Sequence, residues 1–373
     1  MSEPLRVLFP EASATFGGSQ VSTLDLVEHL SRESLPIEVS VALQSDTPFY
    51  RYYKQRQLAS RHHLLGRRGY PGGRHLLWIC RYLWRACGLL RRERIDIVHC
   101  TNETLLLWLL PCVLCRTKLI WNLRVEVGTG WKILLRKWFY LSVCDEVIAV
   151  SQAALGSLNR PGGSIKPRLS MIPNFAPERL INSVAIIEPR PADEVLNIGF
   201  VGRLDDPLKD PARAFRIIAG LLQRGVSLRF HLFGHQNESI RRQLLASFPS
   251  AYHDRVVFHG WQNLEETYPK IDLLLMTTLT EGFPRVVMEA ALFGVPAVST
   301  SVGGVPEAIA HEVSGYCFTE DSEAVDVVAR LATNRQLLNG WGAAAKQRYL
   351  NELSWKEVVP RYLKTYQRLL SRG

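Results

Sequence analysis

Short apolar runs, punctuated by glycine and polar loops, recur along this chain, and amphipathic stretches fill the intervals between them. Residues 5–9, 37–43, 95–99 (IDIVH), 119–123 (LIWNL) and 146–150 (EVIAV) are of strand length and mostly apolar. Such runs read as strands buried on both faces; a half-exposed ribbon would alternate polar and apolar positions. Helical spacing follows at 21–30, and Ser151 stands where it can cap a helix in SQAALGSL. The pattern lapses in the proline-punctuated residues 176–195. It begins again at 196–201 (LNIGFV), 228–233, 256–259, 271–276 and 295–298. This strand–helix alternation predicts an α/β fold of parallel, doubly wound sheets, whose ligands sit beyond the carboxyl ends of the strands.

Two alternations in 373 residues exceed what one hydrophobic core usually holds. They predict a first domain over 1–175, a linker over 176–195 and a second domain over 196–354. Apolar residues make up 47% and charged residues 21%, the balance of a folded chain. The start, MSEPLRVLFP, lacks the basic and apolar regions of a signal peptide, so no secretory leader is expected. The longest apolar run, residues 104–115, contains Pro111 and falls short of the roughly 20 residues a membrane span needs. It reads as a buried or interfacial segment. Seven cysteines, with a lone C-x-x-C at Cys112 and Cys115, point to reduced thiols in a cytoplasm.

Charge is spread unevenly. Residues 1–175 hold 23 Lys and Arg against 13 Asp and Glu, and the totals of 45 and 35 leave 22 of each for the second half. Between Arg51 and Arg92 eleven cations occur without one acid. Arg81 and Arg85 there neighbour Leu77, Trp78, Tyr82 and Trp84, and GTGWKILLRKWFY at 128–140 repeats the mixture. Arginine beside tryptophan on a helix suits an anionic membrane surface; a solvated helix packed by its aromatic side is the alternative. No nucleic-acid-binding motif accompanies these residues, and no nucleic-acid partner is expected.

The densest chemistry lies at 279–304, LTEGFPRVVMEAALFGVPAVSTSVGG. Glu281 follows an apolar run and Gly282 permits a sharp turn. Pro284 suits the first position of a helix in which Val286, Val287, Ala290, Ala291 and Phe293 are apolar nearly all round, and Gly294 fits the position past its end. Such a helix start offers backbone N–H groups and a positive dipole end to a phosphate-sized anion. Glu289, on the buried helix, needs hydrogen-bond donors. A sugar or ribose diol supplies two, and an arginine is the structural alternative. A second loop, GRLDDPLKDPARAF at 202–215, brings Gly202 for close backbone approach, Arg203 to bind phosphate through paired N–H groups, and Lys209 as a point charge. The alternative is pairing of those cations with Asp205, Asp206 or Asp210. Gly17 and Gly18 precede the helix at 21–30, and Gly234 follows the strand at 228–233. Trp261 offers a stacking platform after 256–259. His99 and Arg124 end strands, with Glu126 two residues beyond.

The stretch EGFPRVVMEA followed by GVPAVSTSVGGVPE resembles the signature of retaining GT-B glycosyltransferases, particularly family 4. The likeness is dense from Phe200 to Gly315 and thin over 1–175. It implies two Rossmann-like domains facing a central cleft, with a C-terminal helix at 355–373 crossing back onto the first. By resemblance, Glu281, Gly282, Phe283, Pro284, Arg285, Val286 and Glu289 grip a nucleotide-sugar donor, with Glu281 on the sugar and Glu289 on the ribose. Arg203 and Lys209, beside Gly202, hold its diphosphate; Gly234 faces the same cleft, and the base adjoins Trp261. Gly17, Gly18, His99, Arg124 and Glu126 fall on the cleft and acceptor side. Many relatives carry histidine where this chain has Arg124, which is a departure from the pattern.

The implied activity is retaining transfer of a sugar from a UDP- or GDP-sugar to a saccharide or lipid-linked acceptor of lipopolysaccharide or exopolysaccharide type. The enzyme is expected at the inner face of the cell membrane as a peripheral protein. No D-x-D cluster is found, so neither a metal nor a further cofactor is expected. The alternatives are a sugar-nucleotide epimerase or a phosphorylase on the same fold, or a non-catalytic saccharide- or membrane-binding module.

Overall fold

The computed structural model describes residues 3–11, 17–32, 35–43, 50–51, 53, 61–64, 75–102, 104–128, 130–158, 167–184 and 195–371, with the side chains of all but 61, 62, 64 and 75–78. The chain forms two compact units: Met1–Asn174 with Lys356–Gly373, and Phe175–Trp355.

The first unit is a parallel sheet of seven strands in the order β3-β2-β1-β4-β5-β6-β7. These are β1 (Leu5–Glu11), β2 (Ile37–Leu43), β3 (Arg61–Leu64), β4 (Ile97–Thr101), β5 (Lys118–Leu123), β6 (Glu146–Ala149) and β7 (Arg168–Met171). β1, β2, β4, β5 and β6 are the apolar runs expected from the sequence, with ends shifted by up to two residues. β3 (RHHL) and β7 (RLSM) were not expected. They form the two edges of the sheet, where a strand has one neighbour and can carry polar side chains. Helices α1 (Gly18–Leu30), α2 (His75–Arg92), α3 (Leu105–Cys115), α4 (Trp131–Val143) and α5 (Gln152–Gly156) lie between the strands. Gly17 is the N-cap of α1, its N–H bonded to Gln20 Oε1 at 3.1 Å. Ser151 caps α5 as expected, accepting from the Ala154 N–H. Of the acid-free segment, residues 52, 54–60 and 65–74 and the side chains of Leu77 and Trp78 lie outside the described residues.

The C-terminal helix Trp355–Leu370 supplies Tyr362 and Tyr366 to this unit's core, and its Arg368 donates to Glu146 Oε1 at 2.7 Å. His99 is a core residue, which corrects its expected place among the acceptor-side groups. Its Nδ1 lies 2.8 Å from the Tyr366 hydroxyl, its Nε2 lies 2.8 Å from Asn122 Nδ2, and its ring stacks on Phe9 at 4.9 Å. Both ring nitrogens are therefore used inside the fold. Burial, and secondarily the Arg124 charge, hold His99 neutral down to a pKa of about 3.

The second unit is a parallel sheet of six strands in the order β10-β9-β8-β11-β12-β13. They are β8 (Leu196–Val201), β9 (Leu228–Phe233), β10 (Val256–Gly260), β11 (Leu273–Met276), β12 (Ala297–Thr300) and β13 (Gly315–Phe318). Its core packs Phe200, Phe215, Phe230, Leu232, Leu273 and Val298. Inside the stretch expected to be a linker, Glu178–Val184 forms a helix (α6) with Leu180 and Val184 buried. Two turns are too short for helical periodicity to register, and residues 185–194 lie outside the described residues. The order of strands reverses between β8 and β11, so the chain leaves these neighbours toward opposite sides, and their carboxyl-end loops are left side by side.

His99 also gives this unit a pH signature. The unfolded chain binds a proton near the ordinary value of 6.5 and the folded chain near 3, so stability is full above pH 6.5 and falls as pH drops toward 3. The expected slope is up to about 1.4 kcal/mol per pH unit. Urea unfolding between pH 7 and 5 checks this, and His99→Gln should flatten the slope relative to the parent.

Candidate functional site

The loops at the β8/β11 reversal carry both sequence motifs. Gly202 leaves β8 with its N–H bonded to Phe233 O at 2.9 Å, and the Gly234 N–H bonds Gly260 O at 2.8 Å, lacing the ends of β8, β9 and β10 together. The close backbone approach expected of Gly202 is required of Gly234 instead. A Cβ on Gly234, at φ +138°, would lie 1.9 Å from Gly202 O, whereas one on Gly202 would meet ordinary contacts at 3.7 Å and beyond.

Beyond Gly202 the aspartates serve the backbone. Asp206 accepts from the Leu208 N–H and caps the short turn Pro207–Lys209. Asp210, at φ +41°, accepts from the Arg213 N–H and caps helix α7 (Pro211–Gln223). Arg203, with 54% of its side chain exposed, pairs with Asp205 at 3.3 Å, the structural alternative considered for it. Lys209 pairs with none of the three aspartates. Its ammonium forms an ion pair with Glu281 Oε1, and both groups are mostly buried. Seventy-two residues separate them in sequence.

Two threonines hold the partners in register. Thr277 Oγ1 donates to Asp210 O at 2.7 Å and lies 3.1 Å from Lys209 O. Thr278 Oγ1 donates to Leu208 O at 2.9 Å, a carbonyl that also accepts from the Leu279 N–H at 2.8 Å. Both side chains are fully buried. Sequence reasoning missed this pair. The available signal was a Thr-Thr step at the carboxyl end of an apolar strand, where buried hydroxyls need acceptors. From the other side, Gly303 at φ +52° packs so closely that a Cβ would lie 2.0 Å from Glu281 O, and the Gly304 N–H bonds that oxygen at 2.9 Å.

Helix α8 (Arg285–Leu292) begins immediately beyond. Pro284 is its N-cap, with ψ 118°, rather than its first residue, and no side chain caps the helix N-terminus. Gly282, Phe283, Pro284 and Arg285 are buried, and Val286 is half-buried. Gly294, at φ +75°, ends the helix as expected. Glu289 meets the structural alternative: its Oε1 lies 3.4 Å from Arg285 Nε, and the Tyr268 hydroxyl lies 3.2 Å from its Oε2. Burial, with Glu289 adding to it, raises the Tyr268 hydroxyl well above its usual range, so it remains a donor. Tyr268 was not singled out from the sequence.

Trp261 is 70% exposed at the end of β10. In the first unit, Gly17 and Gly18 start α1, Arg124 Nη1 donates to Asn174 Oδ1 at 3.1 Å, and Glu126 is exposed. The structure therefore brings together Lys209, Glu281 and the start of α8, with Arg203 on the same loop as Lys209.

Residues 196–334 match the family described as Glycosyl transferases group 1, and residues 16–178 match Glycosyltransferase Family 4. The chain belongs to the group 1, family 4 glycosyltransferases. It is 34% identical over 120 residues to N-acetyl-alpha-D-glucosaminyl L-malate synthase of Bacillus anthracis, a match covering 31% of this chain and 32% of that protein. It is 26% identical over 187 residues to the lipopolysaccharide 1,6-galactosyltransferase of Escherichia coli K12, covering 48% and 49%. These matches span a third to a half of the curated relatives. Among solved structures, Anabaena HepE in complex with UDP and glucose superposes with a TM-score of 0.78 at 18% identity, over 98% of this chain and all of that one. A glycosyltransferase of Rickettsia africae does so with a TM-score of 0.83 at 14% identity, over the whole of both. The fold of this glycosyltransferase-family chain is GT-B.

Thr277 tests the register of the site. Thr277→Val keeps the shape but leaves the Lys209 and Asp210 carbonyls without that donor. It should cost about 1–3 kcal/mol in urea unfolding, while Thr277→Ser stays near the parent.

Proposed function

We propose that this chain transfers a sugar from a nucleoside diphosphate to an acceptor hydroxyl with retention of anomeric configuration. The observation that carries the reading is the Lys209–Glu281 pair beside the uncapped start of α8, all within the second unit. An ammonium has three N–H donors. One serves Glu281, leaving two for phosphate oxygens. As the bond from the anomeric carbon to the diphosphate breaks, its electron pair stays on phosphate. Lys209, Arg203 and the first amides of α8 are suited to stabilise that charge. Arg203 would exchange Asp205 for the diphosphate, which its exposure permits. The acceptor oxygen bonds the anomeric carbon on the face the diphosphate leaves, and its proton passes to the departing phosphate oxygen.

Glu281, held through Oε1 by Lys209, would take a sugar hydroxyl on its second oxygen. Glu289 would accept the ribose hydroxyls on lone pairs beyond those that face Arg285 and Tyr268; a carboxylate has about four acceptor sites. The curated relatives include a lipopolysaccharide galactosyltransferase, and the solved neighbour holds UDP and glucose. Together they support a nucleotide-sugar donor and a saccharide acceptor; we take these to be a UDP- or GDP-sugar and a saccharide or lipid-linked acceptor. The acid-free run between Arg51 and Arg92 supports an acceptor presented at the cytoplasmic face of a membrane. Among the described residues no helix is long and apolar enough to cross one. With cations on the diphosphate, we infer that no metal is needed.

Donor turnover by the purified chain tests this reading. Lys209→Ala, Arg203→Ala and Glu281→Gln should each lower kcat by roughly 100- to 1000-fold. The product should keep the donor's anomeric configuration by proton NMR, and EDTA should leave the rate unchanged. Equal rates in the parent, Lys209→Ala and Glu281→Gln would refute the reading, and a free epimerised sugar would favour an epimerase.

A further inference from the structure

We infer that the outer face of α2, α3 and α4 inserts into the headgroup layer of an anionic bilayer, so that binding is apolar as well as electrostatic. This deepens the membrane-surface reading above and rests on it for its purpose, but not for its observations. β3, β4, β5 and β6 succeed one another in one direction across the first sheet, and right-handed crossovers place α2, α3 and α4 side by side on one face of it. Their inward residues confirm the placement: Tyr82, Leu105, Trp108, Tyr140 and Leu141 share one core.

The outward residues are unusual. Among the described residues, twelve of the eighteen exposed large hydrophobic side chains belong to these three helices. Trp84 is 77% exposed, Trp131 68% and Trp138 62%, with Leu106 and Leu135 at 59% and Leu110 at 48%. Scattered single leucines need no explanation, but a concentration of this size on neighbouring helices marks a docking surface.

Charge selects the occupant. The sequences of the three helices contain seven Lys and Arg and no Asp or Glu. Arg81, Arg91, Arg92, Lys132 and Arg136 are exposed. A two-fold contact with a second copy would set cations against cations. Lipid phosphates would meet them as counter-ions, while tryptophan indoles occupy the headgroup level and the leucines reach the acyl boundary. Lys137 lies on the inner side, its Nζ bonded to Ser157 O at 2.9 Å, and takes no part.

Flotation of the full chain with vesicles of phosphatidylcholine and phosphatidylglycerol, at 0.1 and 0.5 M NaCl, tests this. The parent should bind the mixed vesicles at low salt and retain part of that binding at high salt, because screening removes only the electrostatic share. Trp131→Ser with Trp138→Ser should lower the partition coefficient by about tenfold or more and abolish the salt-resistant part. Both positions are exposed, so the melting temperature should hold. No binding by the parent, equal binding by the double variant, or a parent oligomer that the double variant dissolves would overturn the inference. Vesicle binding without any donor turnover would instead count against the sugar-transfer reading alone.

Discussion

A cation and a carboxylate from loops seventy-two residues apart meet with little water between them, and the second unit is arranged to keep them there. Bringing Lys209 and Glu281 together costs desolvation of both charges, and their attraction repays it only if the geometry is fixed. The structure fixes it by three means. The strand order reverses between β8 and β11, so the two loops emerge as neighbours. Thr277 and Thr278 tie the carbonyls of residues 208–210 to the end of β11. Gly303 and Gly304 press on the Glu281 carbonyl from the loop after β12. Remove any one and the pair can drift into solvent, where an ion pair is worth little.

The same arrangement suits the proposed ligand, an anion with hydroxyls. A lone buried carboxylate would repel phosphate. Neutralised by Lys209, Glu281 becomes an acceptor for hydroxyl donors, while the ammonium keeps two donors for phosphate. Arg285 and Tyr268 play the corresponding part around Glu289, so both glutamates named from the sequence stand beside a cation. The first unit contributes different physics: a buried, neutral His99 at its centre, and three helices whose outer face is apolar and cationic.

Much of this was legible in the chain. The interior strands announced themselves as apolar runs, because both their faces are buried. Edge strands β3 and β7 did not, since a polar RHHL or RLSM has no signature until its neighbour is known. α6 was hidden by its brevity. Of the candidate site, Glu281 and Lys209 were named from residue type, spacing and the family resemblance, but their contact was not. Strand order places them together, and spacing along the chain carries no strand order. Asp206 and Asp210 could be named as rivals for Lys209; that they cap backbone turns could not be known without φ and ψ. Thr277 and Thr278 look like ordinary strand residues until the carbonyls they bind are in view. The glycine that matters sterically is Gly234 rather than Gly202, because clash depends on which backbone lies opposite.

The central claim is that Lys209 is held for a diphosphate. Calorimetric titration with UDP and UMP, or GDP and GMP where guanosine binds better, addresses it most directly. The parent should prefer the diphosphate by about tenfold or more, worth about 1.4 kcal/mol, and Lys209→Met should erase that preference while leaving monophosphate binding nearly unchanged. A Lys209→Met variant that still prefers the diphosphate as strongly as the parent would contradict the account.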